Sequence, residues 1–236
     1  MCYTPKISFG LFITGIIFTY LFYVNKKIIK DEYFYMIVLF YSFMELLQTI
    51  QYFYVNQCNN PINIISTNIA YLFIIVQPLM WNTYFYLISD EKDKKLFLTA
   101  MIMCIIWIFI NLFARYLYNK DFRKYKKSNR DFSVFQYYPN TCTHKHKYHL
   151  FWTWSSAFMR DFHPNLLMYL VLWAVPALMT KKTFNIIIIS IISFIITVLF
   201  THFVLDELYT LSSTWCYISV PTVLYIAFIK FYYLVS

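Results

Sequence analysis

One acidic residue, Glu45, falls near the middle of an apolar stretch of the sequence, within MELLQTIQY at 44–52. Gln48 follows it, and Gln77 lies in the next apolar stretch. Amide and carboxyl groups are costly in hydrocarbon unless they have partners. On a helix, the i, i+3 spacing places Glu45 and Gln48 on one face. The carboxyl group could bind a cation or pass a proton, or it could only join two helices by hydrogen bonding.

A second polar pair, His202 and Asp206, is separated by one helical turn in THFVLDEL at 201–208. Such a pair can supply two metal ligands or a proton relay, or it can form an ion pair at the end of a helix. Asn63 follows the turn CNNP at 58–61. Together with Glu45, Gln48 and Gln77, these residues are expected to line a polar cavity that opens outward.

Composition identifies the elements that must hold these side chains. Of the residues, 60% are hydrophobic and 13% charged, whereas soluble domains are about 25% charged. Seven apolar stretches approach or exceed the roughly 20 residues that cross a bilayer, and each must be helical because an open strand would leave its backbone unpaired in lipid. They lie near 8–24, 33–55, 62–88, 96–118, 164–180, 184–205 and 212–234. We therefore predict an all-α single domain over 1–236, a bundle of seven transmembrane helices.

Lysines predict how the bundle is oriented. The connections 25–32, 90–95 and 181–183 together carry eight lysines, and 56–61 and 206–211 carry none. The positive-inside rule then places the N-terminus outside. The connection 119–163 opposes this orientation, because it is outside by count yet contains RKYKKSNR at 123–130.

The connection 119–163 has two parts. Its basic, aromatic part is typical of segments that contact anionic lipid headgroups, whereas nucleic-acid binding does not fit a multi-pass membrane protein. Its second part contains His144, His146 and His149. Clustered histidines can bind a metal, but the neighbouring lysines repel cations, so we expect a solvated loop and no metal or other cofactor.

The five cysteines divide into two groups. Cys104 lies within the fourth helix and is expected to be a small buried apolar residue. Cys2, Cys58, Cys142 and Cys216 all fall on the face predicted to be outside. Four thiols on an oxidising face predict two disulfides, with three pairings open, and the alternative is free or metal-bound thiols. The absence of a C-x2-C spacing disfavours a zinc site built from all four.

Five segments resemble a family of seven-helix membrane proteins of unassigned activity from large DNA viruses, protists and fungi. They are MCYTPKIS at 1–8, MELLQTIQY at 44–52, CNNPIN at 58–63, YLFIIVQPLMWN at 71–82 and TWCYIS at 214–219. The resemblance implies the seven-helix architecture and treats 123–130 as an insertion. The positions that it singles out are Cys2, Glu45, Gln48, Cys58, Asn63, Gln77, Pro78 and Cys216.

Three functions fit these observations. The first, non-enzymatic, is binding or conduction of a small solute, cation or proton at Glu45. The second is an intramembrane metal-dependent hydrolase that uses His202 and Asp206. The third is a structural or host-interaction protein of a viral or organelle membrane, in which the polar residues only join helices. Each places the chain in the lipid bilayer of a host or virion membrane, the endoplasmic reticulum or the cell surface.

Overall fold

Seven helices and one two-stranded sheet form the described part of the chain. The computed structural model describes residues 4–25, 33–118, 141–145, 150–153, 166–203 and 211–235. The helices are α1 (Pro5–Val24), α2 (Phe34–Phe53), α3 (Pro61–Ile88), α4 (Glu91–Tyr118), α5 (Leu166–Leu178), α6 (Lys181–Phe203) and α7 (Leu211–Val235). Each coincides with one apolar stretch of the sequence, and no end differs from the predicted position by more than about five residues. The predicted helical class is confirmed.

Local sequence signals explain where two of these helices begin. Thr4 caps α1 by accepting a hydrogen bond from the Ile7 amide at 3.3 Å, and Asn60 caps α3 by accepting one from Ile62 at 2.9 Å. A proline opens each helix, where its missing N–H group costs nothing. The capping residue and the proline that follows it therefore set where each of these helices begins.

Five helices, α1, α2, α3, α4 and α6, are long and apolar enough to cross a membrane. Within the described residues, α5 and α7 contain shorter apolar runs, Leu167–Leu178 and Ile218–Tyr232. Large apolar side chains point away from the bundle on α1, α4 and α6, among them Ile17, Phe109 and Ile196. An exposed apolar surface of this extent is expected where lipid tails replace water.

Helices α1 and α2 pack closely and run antiparallel. Gly15 of α1 faces Ser42 of α2, and a Cβ atom at Gly15 would lie 1.9 Å from Ser42 Oγ. Further along, the rings of Phe22 and Phe34 lie 5.8 Å apart. Only a residue without a side chain allows the two backbones to approach this closely at Gly15.

The main core lies between α2, α3, α5 and α7 and is rich in aromatic side chains. Trp81, Tyr84 and Trp173 are almost completely buried. Trp173 and Trp215 meet at a ring-centroid distance of 5.5 Å, and Trp81 Nε1 donates a hydrogen bond to Tyr41 Oη at 3.0 Å. These aromatic contacts thus join α5 to α7 and α3 to α2.

A β-hairpin formed by β1 (Cys142–Lys145) and β2 (Leu150–Thr153) packs against the α2–α3 connection. The strands pair antiparallel, with Cys142 opposite Thr153. The prediction of a solvated loop is wrong for these residues, because Cys142, Thr143 and Trp152 are buried. The all-α prediction likewise missed the sheet. His146, His149 and the basic segment 123–130 lie outside the described residues.

Candidate functional site

Glu45 is completely buried in α2, and the structure gives neither of its carboxylate oxygens a hydrogen-bond partner among the described residues. Its polar neighbour is Ser8 of α1, which is also completely buried and whose hydroxyl group makes no hydrogen bond of normal geometry within the described chain. A buried carboxyl group without partners costs several kcal/mol when charged. The Glu45 site is therefore a candidate for binding a proton or a cation.

In contrast to the carboxyl group, the backbone carbonyl of Glu45 has a hydrogen-bond partner. Thr49 Oγ1 donates to the Glu45 carbonyl oxygen at 2.8 Å. Gln48 is buried one turn further along α2, on the face that the sequence predicted it would share with Glu45. The group that lacks hydrogen-bond partners is therefore the Glu45 carboxyl group, and not the backbone of the helix.

Gln77 joins four helices. Its Oε1 accepts a short hydrogen bond from the Tyr169 hydroxyl group of α5, and Tyr169 Oη in turn accepts one from Trp215 Nε1 of α7 at 3.1 Å. Its Nε2 contacts Met44 Sδ of α2 at 3.4 Å. Sequence reasoning missed Tyr169 and Trp215, although buried tyrosine and tryptophan usually find hydrogen-bond partners for their polar edges. Gln77 therefore contacts α2 at Met44 and α5 at Tyr169.

Asn63 organises the other polar centre, where the β-hairpin meets α3. Asn63 Nδ2 donates to the carbonyl oxygens of Tyr54 at 2.7 Å and Thr143 at 3.0 Å, and the Thr143 amide donates to Asn63 Oδ1 at 2.9 Å. The Thr67 hydroxyl group lies 2.7 Å from that of Thr143. We call Asn56, Asn63, Thr67 and Thr143 the Asn63 network. It holds the β-hairpin in place and lies apart from Glu45.

Asn56 completes this network through an unusual backbone conformation. Its φ angle is 64°, in the left-handed region that asparagine tolerates better than most residues. The Asn56 amide donates to the Thr143 carbonyl oxygen at 3.0 Å, and Asn56 Oδ1 accepts from the Lys145 amide at 3.0 Å. Gln51 adds a further link, because its Oε1 accepts from Trp152 Nε1 at 3.0 Å.

The structure does not bring His202 to the Glu45 site. The His202 side chain is exposed on α6, with its ring edge-on to Phe203 at 4.6 Å, whereas the preceding Thr201 is buried. Asp206 lies outside the described residues. The described geometry therefore offers no support for a metal site at His202.

Two of the four cysteines predicted to lie on the outer face form a disulfide. Cys58, in the α2–α3 connection, is bonded to Cys142 of β1, with their Cα atoms 5.0 Å apart. Cys2 and the side chain of Cys216 lie outside the described residues. Cys104 is buried and free, as expected. The predicted disulfide chemistry is thus confirmed for one pair.

His144 lies beside this disulfide. Its two ring nitrogens are both 4.0 Å from Cys58 Sγ, and Nε2 lies 3.2 Å from Thr153 Oγ1. Partial burial lowers the pKa of His144, which favours the neutral imidazole. Sequence reasoning considered His144 only within a histidine cluster and missed its closeness to the two cysteines.

One known family matches the chain over almost the whole described helical bundle. A model described as "Family of unknown function (DUF5765)" matches residues 6–232. The chain belongs to this family. No curated protein and no solved structure matches the chain.

In this DUF5765 member the Asn63 network and the Glu45 carboxyl group differ in their hydrogen bonding. The Asn63 network is satisfied by hydrogen bonds, as expected of a structural contact. The Glu45 carboxyl group is not, and exceptions of this kind in a buried site call for a chemical reason. The Glu45 site is therefore the better candidate for function.

Proposed function

We propose that this chain is a seven-crossing membrane protein, with its N-terminus outside, that binds or conducts a proton, a cation or another small solute at Glu45. The observation that carries the proposal is the completely buried Glu45 carboxyl group, whose two oxygens have no hydrogen-bond partner within the described chain. An ionisable group retained inside a membrane helix usually faces a partner or a pathway.

Contacts at one end of the bundle support the alternating topology. The C-terminal part of α1 meets the N-terminus of α2 and the C-terminal part of α7, through Phe22, Phe34 and Phe231. At the same end, Lys230 of α7 donates to Tyr84 Oη of α3 at 3.1 Å. Helices that alternate in direction bring these ends together, and this is the end that carries the lysine-rich connections.

The position of Ser8 favours access from the outer side. Ser8 lies four residues beyond the Thr4 cap, so at a rise of about 1.5 Å per residue the site is roughly 6 Å below the start of α1. The side chain of Thr4 is exposed. Opening the first turn of α1 would therefore connect Glu45 to the outer solution, where the disulfide fits an oxidising compartment such as the endoplasmic reticulum or the cell surface.

Carboxylate chemistry favours a proton or cation over a neutral solute. An ionised carboxyl group only accepts hydrogen bonds, and it prefers partners that carry positive charge. A bound proton or cation would remove the cost of the buried charge, whereas a neutral solute would only reduce it.

Ion flux in liposomes tests the proposal. We would measure proton and cation flux between about pH 5 and 8, the range that a buried carboxyl group can reach, for wild type, Glu45→Gln and Glu91→Gln. Glu91 is the matched control, because its carboxyl group is exposed and forms a surface ion pair with Lys94 at 2.6 Å. We expect flux that depends on pH in wild type and Glu91→Gln and is lost in Glu45→Gln.

Infrared spectroscopy can detect proton binding at Glu45 even when no ion is transported. Difference infrared spectroscopy across the same pH range should show a protonated-carboxyl band that disappears in Glu45→Gln and persists in Glu91→Gln. Absence of both flux and this band, in protein that remains folded, would overturn the proposal.

A structural or interaction role is the second candidate. It is favoured by the hydrogen-bond chain from Gln77 through Tyr169 to Trp215, which joins α3, α5 and α7. In that case Glu45→Gln would leave flux unchanged and alter only stability. A hydrolase at His202 is not proposed, because the His202 side chain is exposed on the bundle surface.

A further inference from the structure

We propose that Cys58, Cys142 and His144 form a binding site for a soft divalent cation, such as Zn²⁺, when the disulfide between the cysteines is reduced. The site lies at the β-hairpin and is independent of the function proposed for Glu45. One ligand atom from each residue lies within 4.8 Å of the others. Thiolate and imidazole are the donors that Zn²⁺ prefers.

The fold brings the three donors together from distant parts of the chain. Cys142 and His144 are two residues apart on β1, so their side chains leave the same face of the strand. Cys58 approaches that face from the α2–α3 connection, which the Asn63 network fixes to β1. Reduction would leave these hydrogen bonds in place, so the donors would stay close together.

Hydrogen bonding assigns the tautomer of His144. The hydroxyl group of Thr153 is placed to donate to the Cys142 carbonyl oxygen at 3.1 Å, an arrangement in which it accepts from His144 Nε2 at 3.2 Å. Nε2 therefore carries the proton, and Nδ1 holds the lone pair. Nδ1 lies 4.0 Å from Cys58 Sγ, and a disulfide sulfur has no hydrogen to give it.

The bond to Thr153 is also the support that a metal-binding histidine requires. Imidazole ligands usually donate their second nitrogen to an oxygen, which fixes the ring and raises its basicity. Here Thr153 supplies that oxygen from the paired strand, and it also contacts the backbone of Cys142. His144 is thus oriented for coordination before any metal arrives.

Exposure distinguishes the three donors. Cys142 is buried, whereas Cys58 and His144 are both partly exposed. A metal held by these three would therefore have solvent on its open side, and a water molecule or an external ligand could complete a tetrahedral set.

A dithiol reductant converts the disulfide form of the site into the metal-binding form. A dithiol supplies two electrons and two protons to the Cys58–Cys142 bond, which gives two thiols while the dithiol becomes a disulfide. The cation then displaces both thiol protons into solution. A small-molecule disulfide then accepts two electrons from the two thiolates and is itself reduced to two thiols, taking two protons from solution. This reforms the Cys58–Cys142 bond and removes two of the three ligands, so the metal is released.

Zinc retention by the purified full chain tests the site. The protein in detergent is reduced with a dithiol, freed of reductant, mixed with Zn²⁺ and desalted, and bound zinc is measured by mass spectrometry. A background of Cys2→Ser and Cys216→Ser removes the other outer thiols. We expect about one zinc ion per reduced chain and almost none per oxidised chain.

Variants separate this site from adventitious binding. His144→Gln should weaken zinc binding at least tenfold, whereas His202→Gln, which changes an exposed histidine, should not. Reformation of the Cys58–Cys142 disulfide in His144→Gln would show that the β-hairpin is still folded. Co²⁺ in place of zinc should give thiolate charge-transfer absorption that Cys58→Ser abolishes.

Three results would overturn the proposal. They are the absence of zinc in the reduced background protein, equal zinc in its reduced and oxidised forms, and unchanged affinity in His144→Gln with a reformed disulfide.

Discussion

Asn63 and Thr143 exchange two hydrogen bonds, as two paired strand residues do. Asn63 uses its side-chain amide, and Thr143 uses its backbone. The Thr143 amide donates to Asn63 Oδ1 at 2.9 Å, and Asn63 Nδ2 donates to the Thr143 carbonyl oxygen at 3.0 Å. The amide group of a helical asparagine thus replaces the neighbouring strand that β1 lacks on this edge. This arrangement also satisfies backbone groups that burial would otherwise leave unpaired.

Asn63→Ala should release the β-hairpin from α3. The change leaves the buried Thr143 amide without its acceptor, which we expect to cost about 1–3 kcal/mol. Hydrogen–deuterium exchange over residues 142–145 and 150–153 should become faster. Asn59→Ala, at an exposed neighbour, should leave exchange unchanged, and equal rates in both variants would contradict the role given to Asn63.

Tyr169→Phe should destabilise the bundle more than its small change in volume suggests. It removes the donor to Gln77 Oε1 and the acceptor for Trp215 Nε1 together. At about 0.5–2 kcal/mol per hydrogen bond between membrane helices, the thermal unfolding midpoint in detergent should fall measurably. Tyr225→Phe is the control, because Tyr225 is exposed. A midpoint equal to that of this control would contradict the prediction.

Gly15→Ala should push α1 away from α2. The new methyl group would lie 1.9 Å from Ser42 Oγ and 2.9 Å from Ser42 Cβ, an overlap that we expect to cost about 1–3 kcal/mol. Gly10→Ala offers a control in the same helix, since no other atom comes within 4 Å of a Cβ there. Adding Ser42→Gly to Gly15→Ala should restore part of the lost thermal stability, and failure to do so would place the strain elsewhere.

Glu45→Met should raise the free energy of unfolding. Methionine has nearly the shape of glutamate, and the change removes a buried polar group without partners, which we expect to stabilise the fold by about 1–3 kcal/mol. Gln77→Met makes the same kind of change at a group that has partners, and it should destabilise. Destabilisation by both changes, measured as thermal midpoints, would indicate that Glu45 acts as a structural link.

Hydropathy was sufficient to predict the helices, because lipid leaves an isolated apolar segment no other way to pair its backbone. The same argument gave no information about the β-hairpin. Its strands have four residues each, and CTHK and LFWT show neither the length nor the alternation that predicts a strand. The hydrogen bonds that hold β1 come from Asn56 and Asn63, which are 89 and 80 positions away in the sequence.

The candidate site was predictable only in part. The position of Glu45 in an apolar stretch was sufficient to single it out, and Gln77 and Asn63 were predicted to line the same polar cavity. Their partners depended on tertiary contacts: Tyr169 is separated from Gln77 by 92 residues, and Trp215 from Tyr169 by 46. Only the packed helices show that Gln77 and Asn63 have hydrogen-bond partners and that the Glu45 carboxyl group has none among the described residues.

The bond between Cys58 and Cys142 also makes part of this protein a closed covalent loop. The loop spans 84 positions and contains the whole of α3 and α4 together with the basic segment 123–130. A protease that cuts once in that segment would open the loop without dividing the molecule, so the nicked protein would separate into two pieces on a gel only after reduction. The chain can therefore be cleaved there and still hold both halves of its bundle as one molecule.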